Sequence, residues 1–235
     1  MIGSEETLTV AWCDNGSTDA KFTESMLFSL LSSKNHGVNI TQFIRMGGNQ
    51  IARQREELLW QWKNVMPTDW ILWIDSDIVL NIDALKVLID SVDKEERPVV
   101  SGLYFILKEI EQTLPKPSPC IFLDVEGNPY SVVPVEPFPD NELIKIDAAG
   151  FGFVLMHKSI LEKLDTKYKD KPVFEEHAGI GEKFISEDIG FFRKLKEVGV
   201  PVYAHTGAHV QHIKRFAVDI NYYLMYMDNI DKINK

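Results

Sequence analysis

The sequence predicts an α/β fold built on a mostly parallel sheet with helices on both faces. Three observations predict it. In the first half of the chain, β-rich runs alternate with runs of helical apolar spacing. The helical runs are long enough to act as crossovers between parallel strands. The chain also has 235 residues, 45% hydrophobic and 11% aromatic, which is enough apolar material to bury a sheet on two sides. One domain over 1–235 is expected.

The first strand is "TLTVAW", 7–12, rich in β-branched and aromatic residues, and "FTESMLFSLLSS", 22–33, has helical spacing. "VNITQFI", 38–44, is β-rich again, and a helix is expected over about 51–65. "DWILWIDSDIVL", 69–80, opens on the continuous apolar run of a strand buried on both faces. Asn81 suits the N-cap of a helix over 82–92, and "RPVVSGLYFIL", 97–107, supplies another strand.

From 108 to 141 the texture changes. Seven of the eleven prolines lie there, six of them in "LPKPSPC" and "VVPVEPFPDN", leaving short strands at most between turns, so the stretch reads as an insertion. Regular structure resumes with "LIKIDAAGFGFVLM", a helix near 159–164, a helix in "EDIGFFRKLKEVG" and a strand in "VPVYAHTGAHVQHI". The tail, 216–235, is aromatic-rich and carries no motif; covering a site, packing on a partner subunit and finishing the fold are all open to it. Trp12, Trp60, Trp62, Trp70 and Trp73 read as core or half-buried aromatics rather than as stacking platforms for a ligand.

Composition narrows the function classes. Cys13 and Cys120 are the two cysteines, too few for a disulfide framework and without C-x-x-C spacing, which fits a reducing compartment. The N-terminus has no basic segment followed by an apolar one, and no apolar run approaches a membrane span, so a cytoplasmic protein is expected. The net charge of -10 comes from acids spread along the chain, with no basic block to follow a phosphate backbone, which argues against generic nucleic-acid binding.

The strand within 69–80 runs into two acids, Asp75 and Asp77, one serine apart. In an open parallel sheet, ligands bind at the carboxyl ends of the strands. Residues two apart on an extended chain point the same way, so both carboxylates can face one hard cation and a bound diphosphate. Turn or capping acids are the alternative, but Asn81 can cap the next helix without them, and two unpaired charges after "WILWI" would repel.

These residues resemble the Asp-x-Asp motif of the GT-A glycosyltransferases, in particular the small family-2-like enzymes of bacteria and their viruses. Upstream, "NQIARQREELL" is similar to the Ala-Arg-Asn segment that opens the helix before the metal strand, with Arg53 in place of its arginine and Gln54 where asparagine is usual. Downstream, "DAAGFGFVLMHKSILEKL" looks like the glycine-containing strand and helix near the sugar and acceptor. "SEDIGFFRKLKEVGVPVYAHTGAHVQHI" resembles the Glu-Asp helix start, the glycine-terminated helix and a later metal-binding histidine. The resemblance runs from residue 7 to about 215 and leaves the proline-rich insertion unmatched.

The resemblance implies a GT-A, Rossmann-like fold and a metal-dependent, hexosyltransferase-like enzyme. Such an enzyme moves a sugar from a nucleotide sugar, UDP favoured, to an acceptor hydroxyl; the family includes both stereochemical outcomes, and inversion is expected here if a base acts on the acceptor. It implies Mn2+ or Mg2+ held by Asp75, Asp77 and His212, and a nucleotide sugar against Arg53, Asp75 and Gly150. It also implies Asp188 as catalytic base, with Glu187 the second candidate. "DNGSTD" follows the first strand, so it is read as a loop there, with Asp14 near the nucleotide base or simply in a turn.

Read from the residues themselves, Ser186 can cap the helix, and Glu187 and Asp188 are favoured by its dipole. A helix start also gives a carboxylate the rigidity that proton abstraction from an acceptor requires. A zinc site from His205, His209 and His212 is disfavoured by Gly207 and the strand pattern, and His205 and His209 stay unassigned.

Two other classes compete. A metal-dependent nucleotidyltransferase would carry a glycine-rich basic loop after the first strand, where this chain has "CDNGSTDAKF". A non-catalytic nucleotide-sugar or glycan-binding module would tolerate loss of Asp188. Glycan, protein, small molecule and modified viral DNA base are all open as acceptors.

Overall fold

A computed structural model describes residues 2, 5–108, 116–169, 171–177, 184–215 and 220–233. Residues 109–115 of the expected insertion, and 216–219 and 234–235 of the tail, lie outside the described residues. No helix among the described residues is long and apolar enough to cross a membrane.

Strand β1 (Leu8–Asp14) leads into helix α1 (Ala20–Ser33), whose N-cap Asp19 accepts from Lys21 N at 2.8 Å. Strand β2 (Ile40–Gly47), helix α2 (Ile51–Asn64), strand β3 (Trp70–Ile74) and the short β4 (Ile78–Val79) follow. Helix α3 (Ile82–Ser91) is capped by Asn81, which accepts from Asp83 N at 2.9 Å as the sequence suggests. Beyond strand β5 (Val99–Leu103), β6 (Phe105–Lys108) pairs with β7 (Lys116–Pro119), and β8 (Ile121–Val125) with β9 (Asn128–Pro134). Strands β10 (Leu143–Ile146), β11 (Ala148–Ala149) and β12 (Phe153–His157) precede helices α4 (Ser159–Tyr168) and α5 (Glu187–Glu197). Strands β13 (Val202–His209) and β14 (Gln211–His212) and helix α6 (Ile220–Ile233) complete the order.

The central sheet has seven strands in the order β10-β13-β5-β12-β3-β1-β2. β1, β2, β3, β5 and β13 run one way; β12, between β3 and β5, and the edge strand β10 run against them. The mostly parallel expectation therefore stands for five strands. β12 is a central antiparallel insertion whose apolar run, Phe153 to Met156, does not distinguish it from a parallel strand.

Alternation places successive side chains on opposite faces. Leu72 and Leu155 pack in one apolar layer with Phe22 of α1 and Leu85 and Leu88 of α3. Trp73, Val154 and Met156 pack in the other with Leu58, Leu59 and Trp62 of α2 and Phe191 and Leu195 of α5. With both faces covered, every residue of β3 is buried, and Leu72→Ala there would cost about 2–5 kcal/mol. Trp60, by contrast, is an exposed aromatic on the outer face of α2.

The proline-rich stretch folds as short strands: β8 is flanked by β9 and β11 in a small sheet beside the main one. The tail forms α6, which leaves Ile220, Tyr223, Leu224 and Met227 exposed.

Candidate active site

At the carboxyl ends of β1 and β3 the chain encloses a cleft of about 720 Å³. It is lined by the loop from β1 to α1, the start of α2, residues 75–77 and residues 213–215. Its size falls within the ~300–1,000 Å³ of small-molecule sites.

The pairing of β14 with β4 sets His212 opposite Ile78, and Ile213 N donates to Asp77 O at 2.8 Å. His212 Nε2 consequently lies 3.1 Å from Asp77 Oδ2. The other ring nitrogen, Nδ1, is 2.8 Å from Phe105 O. A carbonyl oxygen only accepts, so Nδ1 carries its proton and Nε2 is the atom left to face the carboxylate. A proton or a cation between them satisfies that arrangement.

Backbone-anchored Nδ1 is also the support that metal-ligating histidines use. Two donors bound cis to one octahedral ion at roughly 2.1 Å each would stand about 3.0 Å apart, so the spacing suits a divalent ion. Lys214 Nζ lies 3.0 Å from the same Asp77 Oδ2. Burial pushes the Asp77 carboxyl up, but His212 and Lys214 outweigh it and hold the group below its ordinary value.

Asp75 turns elsewhere. Its Oδ1 accepts from Arg55 Nη2 at 3.2 Å, while Arg55 Nη1 pairs with Glu187 Oε1. Arg55 is buried with its guanidinium 4.8 Å from the centre of the Phe151 ring. Desolvation works against its charge, but Asp75, Glu187 and Asp188 outweigh that and keep it protonated. Among the described residues no three His, Cys, Asp or Glu side chains converge as a metal cluster. Asp77 and His212 meet as a pair, with Asp75 held aside by Arg55.

Arg53 is exposed and lines a neighbouring groove with Met46, Gln50 and Glu57. The buried arginine of this helix is Arg55, which the family-like segment did not single out. Helical phase could have found it: Arg55 precedes Leu58, Leu59 and Trp62 by three, four and seven residues, on one face, whereas Arg53 does not share it. Gln54 on the same face donates to Asp14 O at 2.8 Å and Met46 O at 3.1 Å, locking two strand ends together.

Asp14 lines the cleft, but its carboxylate is already engaged. It accepts from Arg45 Nε at 2.5 Å, Arg45 Nη2 at 2.6 Å and Gly16 N at 2.7 Å, with its side chain fully shielded. The bond from Arg45 is the main cause that holds its carboxyl below the usual range. Asp14 therefore fixes the β1–α1 loop and has little capacity left for a nucleotide base.

Gly150 is buried, and a Cβ there would lie 2.1 Å from Tyr104 Oη and 2.6 Å from Cys120 Sγ. The glycine makes room for Tyr104, whose hydroxyl accepts from Gly152 N at 3.1 Å; Gly150, expected against the nucleotide sugar, is not among the residues that line the cleft.

At the start of α5, Glu187 is buried against Arg55, and burial pushes its carboxyl up against the pull of that cation. Asp188 is half-buried. Its Oδ1 accepts from Ser186 Oγ and, at 2.8 Å, from Ile189 N. Ser186 occupies the N-cap position, but its side chain accepts no backbone N–H: the hydroxyl donates to Asp188, whose carboxylate, the stronger acceptor, takes the Ile189 N–H in its place.

No protein-family profile matches this chain, and no curated protein is significantly similar to it. Solved structures do match. A197 from STIV aligns with a TM-score of 0.54 and 22% identity over 88% of this chain and 86% of that one. The crystal structure of GalNAc-T7 with UDP, GalNAc and Mn2+ aligns with a TM-score of 0.52 and 13% identity over 90% of this chain and 43% of that one. This chain thus spans less than half the length of the GalNAc-T7 chain. Both likenesses are of fold, and they agree with the sheet order and helix layers described above: this chain has a GT-A-like, Rossmann-like fold.

Proposed function

We propose that this chain, acting as one cytoplasmic domain, is a glycosyltransferase that takes a sugar from a nucleoside diphosphate donor and gives it to an acceptor hydroxyl with inversion. The observation that carries the proposal is the pair of Asp77 Oδ2 and His212 Nε2, 3.1 Å apart at the carboxyl end of the sheet, with Phe105 O fixing the far ring nitrogen. In this reading Asp77 and His212 hold Mn2+ or Mg2+, the imidazole favouring manganese. The ion, when bound, supplies positive charge against the leaving diphosphate. Lys214 and Arg215 at the rim and Arg55 beside Asp75 add to that charge.

Asp188 serves as the base. The acceptor oxygen attacks the anomeric carbon as the bond from that carbon to the diphosphate oxygen breaks, and the acceptor proton passes to Asp188. A single displacement of this kind inverts configuration. Glu187, ion-paired with Arg55, is assigned to positioning. The nucleotidyltransferase alternative is disfavoured by the β1–α1 loop, whose residues 14–19 include two aspartates and no basic side chain.

UDP is the first nucleotide to test, since UDP, GalNAc and Mn2+ accompany the similarly folded GalNAc-T7. Calorimetry with UDP and GDP, with and without manganese, followed by a screen of nucleotide sugars for hydrolysis, provides the test. Manganese-dependent binding that is lost in Asp77→Ala and His212→Ala is expected. Binding that ignores manganese and survives both substitutions would refute the proposal.

A further inference from the structure

Lys214 leaves β14 two residues after His212, and its Nζ reaches the one carboxylate oxygen, Asp77 Oδ2, that also faces His212 Nε2. An ion held by Asp77 and His212 would compete with the ammonium for that oxygen and be repelled by it. The lysine contact is the exchangeable one. Its two side chains are 37% and 39% exposed, the range in which an ion pair contributes little, whereas the His212 side chain is 6% exposed. Nor does the segment need Lys214 to stay in place, because the Ile213 N to Asp77 O bond and the β4–β14 pairing already fix it. A flexible four-carbon stem lets Nζ leave Asp77 without moving the backbone. Lys214 lines the same cleft as Asp75, Ser76 and Asp77, so an anion entering there meets the ammonium.

We propose that Lys214 is a displaceable counter-cation. With the cleft empty it holds Asp77 against divalent ions. When a diphosphate enters, the ammonium transfers to a phosphate oxygen and frees Asp77 Oδ2, so that ion and nucleotide bind cooperatively. The inference rests on the reading of Asp77 and His212 as ion ligands, and no covalent bond changes in the exchange.

Lys214→Met keeps most of the stem and removes the charge. Binding of Mn2+ alone, followed by calorimetry and by electron paramagnetic resonance, should tighten roughly three- to tenfold in the variant. The factor by which saturating UDP tightens Mn2+ binding should shrink, since that coupling is reciprocal. Asp77→Asn, in either background, should abolish the signal and so assign it to this site. Unchanged or weaker Mn2+ binding in Lys214→Met overturns the proposal, as does the absence of binding to both proteins at millimolar Mn2+, because removing the lysine would then have uncovered no site. UDP and GDP titrations separate this outcome from the broader reading. Tighter Mn2+ without nucleotide binding retains the counter-cation and refutes the donor site; nucleotide binding with unchanged Mn2+ affinity does the reverse.

Discussion

Arg55 and Glu187, 132 residues apart in sequence, form an ion pair whose side chains are only 7% and 9% exposed. The guanidinium also reaches Asp75, so one arginine joins α2, the end of β3 and the start of α5. Removing one partner of a buried pair leaves the other as an uncompensated charge. Arg55→Met should therefore lower stability by about 3–5 kcal/mol, read as a shift of the urea midpoint at constant slope. Arg55→Met combined with Glu187→Leu should recover part of that loss. A single variant within about 1 kcal/mol of the parent would show that the pair is not what joins these elements.

That pair also marks the limit of what the sequence makes legible. The acids Asp75 and Asp77 could be placed at a strand end because "WILWI" has the unmistakable pattern of a doubly covered strand, and His212 is singled out by its resemblance to the family's histidine after the last strand. Which acid meets which partner depends on long-range pairing: β14 with β4 gives Asp77 to His212, and the phase of α2 gives Asp75 to Arg55. Neither contact has a local signature. The same holds for β12, whose five buried residues fit either strand direction and whose place between β3 and β5 is fixed only by the assembled sheet.

Tyr104 and Gly150 give a second prediction. A methyl group at Gly150 would sit 2.1 Å from Tyr104 Oη, in a site where both residues are buried. Gly150→Ala should cost about 1–3 kcal/mol from overpacking. Tyr104→Phe removes the clashing oxygen but also the partner of Gly152 N, a loss of about 1–3 kcal/mol by itself. The double variant should be less destabilised than the two single losses added together, because the phenylalanine removes the nearest clashing atom and leaves only Cys120 Sγ, at 2.6 Å, still too close; strict additivity in thermal melts would argue against the contact.

The acid limb of stability should depend on Asp69. Its carboxylate accepts from Lys158 Nζ at 2.8 Å and from Thr7 N at 2.9 Å, tying the starts of β1 and β3 to the end of β12. Lys158 foremost, then Thr7, lowers its value from 3.8 to about 2. A depressed carboxyl stabilises the fold above its ordinary value, and that contribution is lost as pH falls from about 4 through about 2. Asp69→Asn should remove on the order of 1–2 kcal/mol of pH-dependent stability from this window, measured by urea unfolding between pH 5 and 2. An unchanged acid limb would assign that dependence to other carboxylates.

The last prediction separates enzyme from binding module at Asp188. Its Oδ1 is occupied by Ser186 Oγ and Ile189 N, both donors, and an asparagine presents a carbonyl oxygen that can accept the same two bonds. Asp188→Asn should therefore leave the helix start and the melting temperature nearly intact. It exchanges the other carboxylate oxygen for an NH2 group, which donates and cannot take a proton. If Asp188 is the base, turnover should fall by about 10²- to 10⁴-fold while affinity for the nucleotide changes little, the pattern of an interaction made in the transition state. Product analysis by NMR on the parent protein should show an inverted anomeric centre, since a base on the acceptor side drives a single displacement. Unchanged turnover in Asp188→Asn would reduce Asp188 to a helix-start acid that organises Ser186. Glu187 would not be a ready substitute, because its buried carboxylate is bound to Arg55.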